Sequence, residues 1–166
     1  MKNGGIGRRV DSSQPNQWLH LAVRYLARWD RPAAQVEHFL RDKGANPAQV
    51  KQTISRLSEL RYLNDRAYAQ RWIEGRLAKK PMGRLRVKAE LLAKGVAESL
   101  ADRAIREVLR GVDEETLARR ALKGKQGRGG RLAPLRAARL LRQRGFEEET
   151  IDRIIRFRSE TTDIDA

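Results

Sequence analysis

The 166-residue chain carries 36 Lys and Arg against 21 Asp and Glu, a formal charge of +15, and has no cysteine. That composition excludes a disulfide scaffold and a thiolate metal site. No apolar run approaches the ~20 residues of a membrane span or the length of a signal peptide, so a reducing cytoplasm and no membrane partner are expected. A hydrophobic content of 40% supports packed helices while 5% aromatic residues limits any large central core, and the excess positive charge makes nucleic acid the first partner to consider.

Residues 1–16, MKNGGIGRRVDSSQPN, lack periodicity and are expected to form a disordered tail, with Arg8 and Arg9 read as solvated although they would suit a phosphate backbone. The chain then shows helical spacing through Leu21, Ala22 and Leu26, the short segment WDRPAAQ, and a second helix that stops at Gly44. Tyr62 and Leu63 are expected to staple the entry of the next helix, capped by Asn64 or Asp65. Tyr68, Ala69, Trp72, Ile73 and Leu77 continue that helix until Pro81 and Gly83 interrupt it. A further helix carries Leu85, Val87, Leu91 and Leu92 to a stop at Gly95. Another runs through Leu100, Ala101, Ala104, Ile105 and Val108 to Gly111.

The same pattern recurs on both sides of this segment. Gly44, Gly95 and Gly145 are 51 and 50 residues apart, and each follows a leucine four positions earlier (Leu40, Leu91, Leu141). Apolar residues follow one position later (Ala45, Val96, Phe146), six later (Val50, Ala101, Ile151) and ten later (Ile54, Ile105, Ile155). The first helices superpose as Leu21-Ala22-x-Arg24, Tyr68-Ala69-x-Arg71 and Leu117-Ala118-x-Arg120. The expected fold is therefore all-α: three tandem three-helix repeats, at 17–62, 63–111 and 112–158, in an elongated, curved array that shares apolar surface between neighbours, with a tail at 159–166. The three tryptophans, Trp18, Trp29 and Trp72, are read as core residues rather than base-stacking platforms.

Charge is segregated along the chain. Arg66 to Lys94 holds nine basic residues against two acids, and Arg119 to Arg144 holds ten against none, whereas the intervening and following segments are acidic. A solvated helix normally mixes signs in i,i+4 pairs, so these stretches point to a face that meets a polyanion. The candidate binding residues are Arg71, Arg76, Lys79, Lys80, Arg84, Arg86 and Lys88 in the second repeat and Arg120, Lys123, Lys125, Arg128 and Arg131 in the third.

Nothing in the pattern suggests catalysis, a cofactor or a metal. His20 and His38 stand apart from any nucleophile, and GKQGRGG (Gly124 to Gly130) lacks the Gly-Lys-Ser/Thr ending and buried strand of a phosphate loop. Asp113, Glu114 and Glu115 open a helix, where successive carboxylates diverge and complement the dipole.

Three motifs in order, YLND-x-x-YA (Tyr62 to Ala69), the basic loop ending in Gly83 and L-x-x-KGV (Leu91 to Val96), resemble the RecX family, regulators of the RecA recombinase. The similarity extends from Leu19 to about Phe157, with Arg61, Asn64 and Tyr68 as mild departures from the family's usual GYLDD-x-x-FA. The resemblance implies a monomeric, non-enzymatic protein that lies in the groove of the RecA filament on single-stranded DNA, with possible contact to double-stranded DNA, and inhibits recombinase and ATPase activity. A free-standing basic helical DNA- or RNA-binding module is the alternative.

Overall fold

The computed structural model describes residues 15–124 and 132–163, with side chains over 16–124 and 132–156. Those residues form helices and no strands: α1 (Pro15–Leu26), α2 (Ala33–Asp42), α3 (Pro47–Glu59), α4 (Asp65–Lys79), α5 (Arg84–Ala93), α6 (Glu98–Val108), α7 (Glu114–Lys123), α8 (Pro134–Gln143) and α9 (Glu148–Asp163). The fold is all-α, a tandem repeat of three-helix units.

The recurring glycine ends the second helix of each repeat, and the reason is visible in the backbone. Gly44, Gly95 and Gly145 have φ of 93, 87 and 71°, the left-handed region that a Cβ disfavours. Each amide donates back to the helix (Gly44 to Arg41 O, Gly95 to Leu92 O, Gly145 to Arg142 O, all 2.9 Å). The next residue's amide reaches the leucine four positions before the glycine (Ala45 to Leu40 O, Val96 to Leu91 O, Phe146 to Leu141 O). This is the Schellman arrangement, whose apolar contact joins that leucine to the residue after the glycine. All three leucines are fully buried, as are their partners nearly so. The leucine–glycine–apolar register is thus one helix stop built three times.

Starts are less uniform. Asn46 and Gln49 form a reciprocal capping box on α3, each amide donating to the other's side chain at 2.9 Å. Asn64 caps α4 by accepting from the Ala67 amide at 3.0 Å, and Asp65 is the first helical residue rather than the cap. Asp113 caps α7 through the Thr116 amide at 3.0 Å.

Ala22, Ala69 and Ala118, equivalent in the first helices, are wholly buried. The absence of a long side chain there lets α1 approach α3, α4 approach α6 and α7 approach α9. The chain divides into two compact units, residues 1–63 and 64–166. The first has its own core of Trp18, Ala22, Val36, Leu40, Ala45, Val50, Leu57 and Leu63. In the second, one continuous apolar cluster runs from Tyr68 through Ile105 and Leu117 to Ile154, so repeats two and three share a core.

Within that second unit the two repeats meet end to end. The first amides of α5 are satisfied by the carbonyls that end α8: Gly83 N–H donates to Arg144 O at 2.9 Å and Leu85 N–H to Gly145 O at 3.2 Å. The remaining one, Arg84 N–H, donates to Glu114 Oε1 at 3.2 Å, and the other Glu114 oxygen accepts from the buried Thr150 hydroxyl at 3.1 Å. Orphan donors and acceptors of two helix ends are thereby paired across repeats.

Several sequence expectations are corrected. Trp29 is 71% exposed, because it lies in the turn beyond α1 where helical periodicity no longer sets its direction, while Trp18 is buried and Trp72 packs against the core. Tyr62 is 52% exposed, and Leu63, expected with it to staple the entry of α4, belongs to the core of α1–α3. The helix α1 begins at Pro15 and α9 continues through Asp163, past both expected tail boundaries. Residues 1–14 and 164–166 of those tails lie outside the described residues.

Candidate nucleic-acid interface

The second repeat's cations are set by the junction just described. Arg76 near the end of α4 and Arg86 on α5 both turn to Glu90, at 3.2 and 2.7 Å. Burial pushes the Glu90 carboxyl up, but the hydrogen bonds from Arg86 and Arg76, with their charges, outweigh it and hold Glu90 below the usual carboxylate range. Lys88 is held by Glu98 at 2.8 Å and Asp102 at 2.9 Å, and these hydrogen bonds hold its ammonium pKa above the ordinary lysine value. Lys79 and Lys80, at the end of α4, and Arg84, at the start of α5, have no carboxylate within ion-pair distance among the described residues.

In the third repeat Arg120 and Lys123 lie exposed on α7, and likewise face no carboxylate among the described residues. Lys125, Arg128 and Arg131 fall outside the described residues. The candidates therefore differ in kind: Lys79, Lys80, Arg84, Arg120 and Lys123 carry charge available to a partner, whereas Arg76, Arg86 and Lys88 are partly spent on intramolecular pairs. The exposed Arg71 sits on the same helix as Arg76.

Counting charge by sequence segment overstated the isolation of the basic stretch from Arg119 to Arg144. Acids outside it fold back onto it: Glu115 pairs with Arg119 at 3.6 Å and with Arg153 at 3.1 Å, and Glu148 pairs with Arg142. The three acids opening α7 diverge, Asp113 to its own cap, Glu114 to the start of α5 and Glu115 to the two arginines.

The residue that sequence reasoning passed over is Arg144. It precedes Gly145 and was counted only as one charge among ten. Its guanidinium donates to Ala121 O at 3.1 Å and at longer range to Pro81 O, 3.4 Å, so it lies half-buried between the loop before α5, the end of α7 and its own helix. Burial holds its pKa below the ordinary arginine value. Arg76, Lys80, Arg86 and Arg144 line one cavity of about 310 Å³, with Glu90 on its wall. Arg136 and Arg139 on α8 are further exposed cations that the sequence reading left unassigned. The signal for them was present, since α8 runs PLRAARLLRQ with an arginine at each third position.

Among the described residues no three His, Asp or Glu side chains converge as a metal site, and no helix is long and apolar enough to cross a membrane. His20 is exposed, and the exposed His38 faces only Asp42, one turn along its own helix at 3.4 Å.

Fold and site together define an all-α tandem-repeat protein that presents uncompensated cations around the junction of two repeats. Residues 64–105 match the family model described as RecX, second three-helix domain. Regulatory protein RecX of Chlorobaculum tepidum is 32% identical over 145 residues, 86% of this chain and 88% of that protein. Its counterpart in Treponema pallidum is 29% identical over 140 residues, 84% of each. The chain belongs to the RecX family of regulatory proteins. A crystal structure of RecX from Lactobacillus salivarius superposes with a TM-score of 0.71 at 23% identity, over 86% of this chain and 94% of that one, and shares the fold.

Proposed function

We propose that this protein binds the RecA recombinase filament on single-stranded DNA and inhibits strand exchange and ATP turnover, acting in the cytoplasm as a monomer without catalysis of its own. The observation that carries the reading is the set of cations without carboxylate partners, Lys79, Lys80, Arg84, Arg120 and Lys123, placed on two repeats that share one core. A pair of repeats with one shared core, offering the same charge twice, suits a partner that is itself periodic, and two modest contacts joined in one unit gain through effective concentration. The interface is proposed to comprise Arg71, Arg76, Lys79, Lys80, Arg84, Arg86, Lys88, Arg120 and Lys123 of the described residues, together with Lys125, Arg128 and Arg131 beyond them. Repeat boundaries at 17–62, 63–111 and 112–158 are part of the same reading.

The test compares affinity for RecA filaments with affinity for bare single-stranded DNA at matched salt, alongside ATP turnover by the filament. Tighter binding to filaments and slowed turnover at near-equal amounts support the reading. Binding to the bare strand with turnover and strand exchange unchanged would instead identify a free-standing nucleic-acid-binding module.

A further inference from the structure

The cavity at the junction of repeats two and three is lined by an excess of positive charge. Four cations, Arg76, Lys80, Arg86 and Arg144, line about 310 Å³ together with a single acid, Glu90. Glu90 already receives both Arg76 and Arg86. Its one negative charge leaves the wall at a net of +3.

Arg144 makes the imbalance specific. Its guanidinium donates to two backbone carbonyls, Ala121 O and Pro81 O, and it faces no carboxylate within ion-pair distance among the described residues. A partly buried guanidinium without a counter-ion is a cost to the fold, recovered when an anion supplies the missing charge. Nor can the group easily retreat. The Arg144 carbonyl accepts the Gly83 amide, and the adjoining Gly145 backbone is pressed against Gly83 and Arg86 with no room for a Cβ on either glycine. This close backbone contact holds the main chain of Arg144, the residue whose charge is unmet.

We propose that this cavity is a phosphate-binding site, in which the Arg144 guanidinium and the Lys80 ammonium take the phosphate oxygens and Arg86 divides its donors between Glu90 and the bound group. A carboxylate would leave two of the three excess charges unmatched, whereas a phosphate brings more negative charge and more acceptor oxygens, and guanidinium forks fit its geometry. The assignment deepens the nucleic-acid reading above and rests on it. The phosphate is supplied either by the backbone of a bound strand or by a free phosphate compound.

The experiment titrates the full chain with inorganic pyrophosphate at constant ionic strength, read by calorimetry. Saturable one-site binding is expected, weakened at least tenfold by Arg144→Met and by Lys80→Met, strengthened by Glu90→Gln, and unchanged by Arg103→Met on the exposed surface of α6. Should Arg144→Met fail to fold, Lys80→Met decides, since Lys80 is exposed at the end of α4. Competition by a ten-residue thymidine oligonucleotide bearing a 5′-hydroxyl identifies strand phosphates as the source, and its absence while pyrophosphate binds identifies a free phosphate compound. Absence of saturable pyrophosphate binding, or wild-type affinity in Lys80→Met and in folded Arg144→Met, overturns the site. Either result leaves the nucleic-acid reading standing if filament inhibition and salt-dependent strand binding persist.

Discussion

Gly83 and Gly145, 62 positions apart in the sequence, lie backbone to backbone. A Cβ on Gly83 would overlap the Gly145 carbonyl, and a Cβ on Gly145 would overlap the backbone of Arg86. Neither overlap can be relieved by rotating a side chain, because the obstructing atoms are main chain or the Arg86 Cβ fixed to it. Gly83→Ala is expected to cost at least about 3 kcal/mol, at the upper end of overpacking effects. Gly75→Ala is its counterpart: Gly75 lies inside α4 with open space around it, and the substitution should stabilise by about 0.5 to 1 kcal/mol. Urea denaturation of the two variants checks both, and equal midpoints would remove the significance given to the junction.

Gly95 and Arg61 test the left-handed backbone in opposite directions. Gly95 has φ of 87° with its Schellman bonds intact, so Gly95→Ala should destabilise by about 1 kcal/mol. Arg61 is the one non-glycine residue at positive φ among the described residues, at 61°. Arg61→Gly should therefore raise the melting temperature, and an unchanged value would show that the Arg61 side chain offsets the strain.

Repeats two and three should unfold together. A fragment ending at Arg110 keeps α4–α6 but loses Leu117, Ala121, Leu141 and Phe146 from the shared core. It is expected to unfold at lower denaturant and less sharply than a fragment spanning residues 64–166. Coincident transitions of the two fragments would mean that each repeat is stable alone.

The cations without carboxylate partners predict a salt dependence. Neutralising Lys79, Lys80 and Arg84 together should flatten the slope of log affinity against log salt by about two units for a single strand, with helix content unchanged. Arg56→Gln, whose charge is already paired with Glu59 at 2.9 Å, should leave the slope alone. Reversal of Glu98 and Asp102 would release Lys88 from both of its ion pairs and is unsuitable as a control. An unchanged slope in the triple variant would move the binding surface elsewhere.

Acid should weaken the second unit through Glu90. Its folded pKa is lowered, so its contribution to stability is present above the ordinary carboxylate value of 4.5 and is lost as pH falls through the lower folded value. Glu90→Gln is expected to reduce the loss of stability between neutral and strongly acidic pH, with the lowered Asp113 and Glu148 carboxyls retaining their share. Denaturation midpoints at the two pH extremes supply the comparison.

Local rules wrote the repeat into the sequence. Leu40–Gly44–Ala45, Leu91–Gly95–Val96 and Leu141–Gly145–Phe146 are legible because a Schellman stop needs a residue free to adopt positive φ and an apolar pair around it, all within six residues. The wholly buried alanines of the first helices were equally legible, since each follows a large apolar residue and stands two positions before an arginine in the recurring pattern Leu21-Ala22-x-Arg24, Tyr68-Ala69-x-Arg71 and Leu117-Ala118-x-Arg120. The excess of positive charge in repeats two and three was also plain in composition. Which of those charges are free was decided only by the tertiary structure. Ion pairs such as Lys88 with Glu98 and Asp102, or Arg76 with Glu90, join helices whose relative placement no local pattern encodes. Trp29 escaped the core because a turn residue obeys no helical period, and Arg144 acquired its half-buried place because Gly83 and Gly145 allow two helix ends to touch. Helix stops depend on bonds a few residues long, whereas the accounting of charge depends on distances across the folded chain, and that difference in range separates what the sequence alone determined from what packing had to settle.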